Sequence, residues 1–109
     1  MKRFNKLNSV KGFMDPEEGE CLNRIALKAS KKGPIVEIGS YCGKSSIYIG
    51  EACKKNNSLL YAIDHHTGSE ENQIGWEYHD KELFDIETGK INTFPEFRKN
   101  IRNFDLENF

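Results

Sequence analysis

The stretch Ile35-Val36-Glu37-Ile38-Gly39-Ser40-Tyr41-Cys42-Gly43-Lys44-Ser45-Ser46 constrains this chain more than any other part of it. A short run rich in β-branched residues meets a turn bounded by two glycines, and an amphipathic segment follows. That order predicts a buried parallel strand, a tight bend and a helix start. Gly39 and Gly43 can take backbone angles closed to residues with a Cβ and let a ligand approach the main chain. The free N–H groups of a helix beginning near Lys44 would face whatever anionic group sits there. A nucleotide-type cofactor site is the functional reading, and a plain strand-to-helix turn is the structural one.

A dinucleotide fingerprint needs Gly-x-Gly-x-x-Gly, whose middle glycine clears room for a pyrophosphate. Here the spacing is Gly-x-x-x-Gly and the middle position is Tyr41. A tyrosine there would crowd a pyrophosphate, yet it could pack against a ligand carrying a carboxylate and one nucleoside.

A second apolar run, Ser58-Leu59-Leu60-Tyr61-Ala62-Ile63, ends in Asp64. A carboxylate at a strand's C-terminal edge faces the cofactor crevice and can accept two hydrogen bonds from a ribose diol. The same residue could instead cap a turn after the strand. The interval from Gly39 to Asp64 holds one helix and one strand, as a βαβ unit requires.

Val36-Glu37-Ile38-Gly39-Ser40-Tyr41-Cys42-Gly43-Lys44-Ser45 resembles motif I of class I S-adenosylmethionine-dependent methyltransferases, in the Tyr-Cys-Gly-x-Ser variant of small-molecule O-methyltransferases of the catechol type. Val10-Lys11-Gly12-Phe13-Met14-Asp15-Pro16-Glu17-Glu18-Gly19 resembles the segment leading into the first helix of a bacterial and archaeal branch of these enzymes. Ala62 to Glu71 and Thr93 to Ile101 resemble that branch as well. The fold this implies is α/β, the N-terminal part of a Rossmann-like class I methyltransferase fold with parallel strands flanked by helices.

The resemblance also implies a division of labour. Glu37 would sit near the amino end of the cofactor's methionine moiety, above a loop lined by Gly39, Ser40, Tyr41 and Gly43. Ser45 and the helix amides would hold the carboxylate and Asp64 would take the ribose hydroxyls; apart from the resemblance, His65 and His66 are read as lining the rim of the cofactor or substrate pocket. The chemistry is consistent, since an amine wants an acceptor and a carboxylate wants donors. Two plainer readings remain open: Glu37 as a strand-end carboxylate satisfied by amides, and Ser45 as a helix N-cap. The activity implied is methyl transfer from S-adenosyl-L-methionine to a small-molecule acceptor, with an oxygen nucleophile favoured.

The remaining elements follow from local signals. Asp15-Pro16-Glu17-Glu18 reads as an N-cap, a proline at the first helical position and a capping-box glutamate, with Leu22, Ile25, Ala26 and Ala29 expected on one face of the helix. A helix is expected from about Lys44 to Lys55, and a capping box at Thr93-Phe94-Pro95-Glu96 opens another whose Phe97, Ile101 and Phe104 share a face. Residues 1–14 are expected to form an arm on the body, and 15–109 a partial cofactor-binding domain. Between Asp64 and Thr93 lies a long polar stretch carrying Trp76, Tyr78, Leu83, Phe84 and Ile86, read either as a cover over the site or as a surface excursion.

His65 and His66 follow Asp64, a pattern shared with manganese phosphoesterases, but the turn after the first strand supplies none of the further aspartates and histidines such a site needs. No metal is therefore assigned, and either histidine could serve as a general base. In the methyltransferases a divalent metal would enter only through acids of the C-terminal half. Cys21, Cys42 and Cys53 show no disulfide or zinc spacing and are expected to be reduced, Cys42 being either a space-filler or a reactive thiol at a helix N-terminus.

A formal net charge of −1 with scattered lysines and arginines argues against nucleic acid, and no apolar run approaches the roughly 18 residues of a membrane helix. A soluble, cytoplasmic protein acting on a small molecule is expected. The 109 residues end where the third strand of a class I methyltransferase should begin. The expectation is thus an N-terminal fragment with an uncovered sheet edge through which it could oligomerise, inactive alone. Two alternatives belong to other classes: an NAD-type oxidoreductase domain and a non-catalytic nucleotide-binding module.

Overall fold

The computed structural model describes residues 2–67, 83–85 and 90–109. A 3-10 helix at Lys2–Ser9 leads into α1 (Pro16–Ala29), β1 (Ile35–Ile38), α2 (Lys44–Lys55) and β2 (Leu60–Ile63). Two short strands, β3 (Phe84–Asp85) and β4 (Lys90–Ile91), precede α3 (Phe94–Asn103). β1 and β2 pair in parallel with Ile35 opposite Leu60 and Ile38 opposite Ile63, so the predicted βαβ unit is present. β3 and β4 pair antiparallel. This is a small α/β arrangement, in keeping with the partial α/β fold that the resemblance implies.

The centre of the molecule is α2. Ser46, Ile47, Tyr48, Ile49, Gly50, Ala52 and Cys53 are all buried, so the helix is covered on every side rather than along one stripe. One side meets Leu7, Val10 and Leu106, and the other meets Ala26 and the inward residues Ile35 and Leu60 of the sheet. Fully burying a side chain such as Ile47 contributes about 1.5–3 kcal/mol. Leu7 and Val10, from the segment before α1, are buried in one cluster with Ile47 and Tyr48 of α2.

The face of α1 differs from the apolar pattern. Ile25 is 59% exposed, whereas Gly19, Asn23 and Ala26 are buried. Leu22 packs against the same core, but at Gly19 the two helices come too close for any side chain. A Cβ on Gly19 would lie 2.2 Å from the Tyr48 ring. Asn23 is satisfied there by donating Nδ2–H to the Tyr48 carbonyl at 2.7 Å. The capping interaction at the start of α1 is as expected, with the Asp15 amide donating to Glu18 Oε1 at 3.1 Å.

The box expected at Thr93 does not form. Thr93 itself has helical angles and makes no side-chain cap, and the amide of Phe94 is instead accepted by Asn92 Oδ1 at 3.1 Å. The Thr93 hydroxyl is engaged with His66 Nδ1 at 2.7 Å, which takes it away from the helix end.

On the sheet face away from α2, Val36, Ile38, Tyr61 and Ile63 are 60%, 83%, 54% and 57% exposed. Parallel strands normally bury both faces under crossover helices. At the outer edge of β2, the Leu60 amide donates to the Phe109 carbonyl at 2.6 Å. Leu83 and Ile91 are buried with Cys42 beneath the turn after β1, so Cys42 is a space-filling residue. Trp76, Tyr78, His79 and Ile86 lie outside the described residues, as does most of the expected cover.

Candidate functional site

Strand alternation decides where the Glu37 side chain goes. Ile35 and Glu37 face α2, and the carboxylate of Glu37 accepts the hydroxyls of both Ser45 and Ser46 from the helix's first turn. Between strand and helix the chain turns through Gly39 at φ 88°, Tyr41 at φ 49° and Gly43 at φ 96°. These left-handed angles suit glycine and strain tyrosine. A Cβ on Gly39 would meet open space, whereas one on Gly43 would stand 3.2 Å from the Phe97 ring. The freedom of Gly43 therefore serves packing against α3, and Gly39 is the glycine that leaves room for a ligand.

The turn is pinned from two directions. Asn100 of α3, buried, donates Nδ2–H to the Cys42 carbonyl at 2.9 Å. Asp64, at the end of β2, accepts the Tyr41 amide on Oδ2 at 2.8 Å and the His66 amide on Oδ1 at 2.8 Å. Burial pushes the Asp64 carboxyl up, but the amides of His66, Tyr41 and Ser40 and the nearby His66 charge outweigh it, and the group sits below its ordinary range. A carboxylate offers about four lone-pair sites. The amide bonds leave acceptor capacity on Asp64 for a diol.

Above the turn lies a cavity of about 280 Å³. Its floor is Gly39, Ser40 and Tyr41, and the start of α2 contributes Lys44 and Ser45. Lys11, Gly12, Phe13 and Met14 and Glu18 of α1 complete the lining. Phe13, 67% exposed, stacks at a tilt on Tyr41 with ring centroids 5.4 Å apart. Ser40 is 2% exposed and its hydroxyl has no hydrogen-bond partner among the described residues. A buried polar group left unpaired costs about 1–3 kcal/mol, which a ligand acceptor or donor would offset. At the low edge of the roughly 300–1,000 Å³ typical of ligand pockets, the cavity suits one end of a nucleoside cofactor.

Four of the residues expected from sequence, Gly39, Ser40, Tyr41 and Ser45, thus meet in one cavity. Glu37 stands behind Ser45, Gly43 packs under α3, and Asp64 holds the turn from below. His65 is solvent-exposed, and its Nδ1 lies 2.7 Å from the Thr67 hydroxyl. His66 is wedged between Phe94 and Phe97, at centroid distances of 5.2 and 5.1 Å, with its ring nitrogen on Thr93. That ring is a structural link between the end of β2 and α3. Among the described residues no group of three histidine, cysteine, aspartate or glutamate side chains could hold a metal ion. Nor is any described helix long and apolar enough to cross a membrane.

Sequence reasoning missed Lys11, Phe13, Glu18 and Lys44. For Lys11 and Phe13 the available signal is a cation, a glycine and an aromatic in succession, separated by one residue from the Asp15 helix cap.

A family model described as a methyltransferase domain matches residues 36–107, which covers β1 from Val36 onward, the turn, α2, β2 and α3. The match contains the turn and Asp64, whose carboxylate accepts the Tyr41 amide of that turn. The chain belongs to the methyltransferase domain family, of the class I S-adenosylmethionine-dependent type.

Proposed function

We propose that this chain binds S-adenosyl-L-methionine and serves methyl transfer to a small-molecule oxygen nucleophile. The observation that carries the reading is the cavity over Gly39, Ser40 and Tyr41, with a buried, unpartnered Ser40 hydroxyl in its wall. Its lining carries both cations, Lys11 and Lys44, and a carboxylate, Glu18. That pairing fits the zwitterionic amino-acid end of the cofactor. Asp64, kept ionised by loop amides, fits the ribose hydroxyls. When bound, the cofactor supplies an electrophilic sulfonium methyl. The chain's own residues would orient that end and hold the nucleoside against the end of β2, a contribution through alignment.

Tyr41 weighs against the dinucleotide alternative. Its ring occupies the cavity wall against Phe13, where a pyrophosphate would have to pass. Equilibrium dialysis of radiolabelled S-adenosylhomocysteine tests the proposal. Binding to the wild-type chain that falls at least about tenfold in Asp64→Ala supports it. Retention of NAD but not of S-adenosylhomocysteine would reject it.

A further inference from the structure

The Ser45 hydroxyl has one proton, and it is donated to Glu37. Ser45 can therefore accept a hydrogen bond from a ligand, but it has no second proton for a ligand carboxylate. Another donor must serve that end. We propose that Lys44 is the cation that reads the carboxylate of the cofactor's amino-acid end, an inference that rests on the S-adenosylmethionine reading above.

Three observations single out Lys44. Its stem is laid across the backbone of Gly12, so closely that a Cβ on Gly12 would lie 2.9 Å from both Cβ and Cδ of the lysine. The contact holds the side chain in the cavity wall, where the arm and α2 meet. Next, Lys44 is the first residue of α2, whose first turn contains no acidic residue. A cation at a helix N-terminus opposes the helix dipole, and an anion bound there offsets both positive charges. No described carboxylate forms an ion pair with it. Lys11, the other cation of the cavity, already has an interaction of its own. The orphaned Ser40 hydroxyl in the same wall adds a neutral donor.

The test is a two-by-two comparison of binding, read by nuclear magnetic resonance titration so that weak affinities are measured. The ligands are S-adenosylhomocysteine and its carboxyl methyl ester, and the proteins are wild type and Lys44→Met, which keeps most of the stem over Gly12. Esterification should weaken wild-type binding about tenfold or more and the variant's by less than about twofold, since the charge it removes has no counterpart there. An equal ester penalty in both proteins would overturn the assignment to Lys44. Loss of affinity for acid and ester alike would mean that Lys44 only shapes the site, and would overturn it too. If wild type bound neither ligand, the underlying cofactor reading would fall, and this assignment with it. The wild-type ester comparison requires no variant and is independent of any folding defect.

Discussion

Replacing Asp64 with asparagine should loosen the turn after β1 in a manner that depends on pH. The two carboxylate oxygens divide their work: Oδ2 holds the Tyr41 amide and Oδ1 the His66 amide, each at 2.8 Å. An asparagine keeps one acceptor oxygen and turns an NH₂ group toward the other amide, so one N–H is left facing a donor. A hydrogen bond to a charged group contributes about 1.5–3 kcal/mol, and the Asp64 side chain is only 14% exposed, so solvent screening takes little of it. Asp64→Asn should therefore destabilise the fold by about 1.5–3 kcal/mol at neutral pH. For a domain that leaves Ile38 83% exposed, that is a large share of its stability. The sign of the pH effect follows from the depressed pKa. The stabilisation is complete above the ordinary aspartate range near about 4 and is lost as pH falls through the lower, folded value. Urea unfolding followed by circular dichroism, repeated from neutral to acidic pH, should show a gap between wild type and variant that closes with acidification. Equal stability at neutral pH, or a gap that stays constant with pH, would refute the role given to Asp64.

Gly19→Ala adds a methyl group 2.2 Å from the Tyr48 ring and should destabilise by about 1–3 kcal/mol despite alanine's better helix propensity, measured by urea midpoint. Asn100→Ala leaves the buried Cys42 carbonyl without its donor, and a cost of about 1–3 kcal/mol is expected, with faster amide exchange in residues of the turn. Gly39→Val has open space for its side chain but φ 88°, so its effect should be backbone strain of about 1–3 kcal/mol together with loss of S-adenosylhomocysteine binding.

The parallel β1–α2–β2 unit was legible because its signals are local: β-branched runs, two glycines and an acid at the strand end. The helix boundaries of α2, Lys44 and Lys55, follow from the same signals. The inward face of α1 was legible in part: Leu22 and Ala26 pack inward as periodicity suggests, while Ile25 is exposed and Gly19 and Asn23 are buried where α2 comes close. Thr93 shows the same limit. Its hydroxyl would cap a helix in isolation, and a tertiary partner, His66, claims it. In the site, Gly39, Ser40 and Tyr41 were found by the motif, but much of the remaining lining comes from residues that only tertiary packing brings there. Lys11 and Phe13 lie more than twenty residues before the turn they face.

The most direct test of the central claim is a heteronuclear resonance titration of the chain with S-adenosylhomocysteine, with NAD as comparator. The account predicts saturable shifts with S-adenosylhomocysteine, confined first to the amides of Gly39 to Ser45, Lys11 to Met14 and the residues flanking Asp64, and little change with NAD. Saturable shifts with NAD at those amides, or shifts with S-adenosylhomocysteine that avoid the cavity altogether, would contradict it.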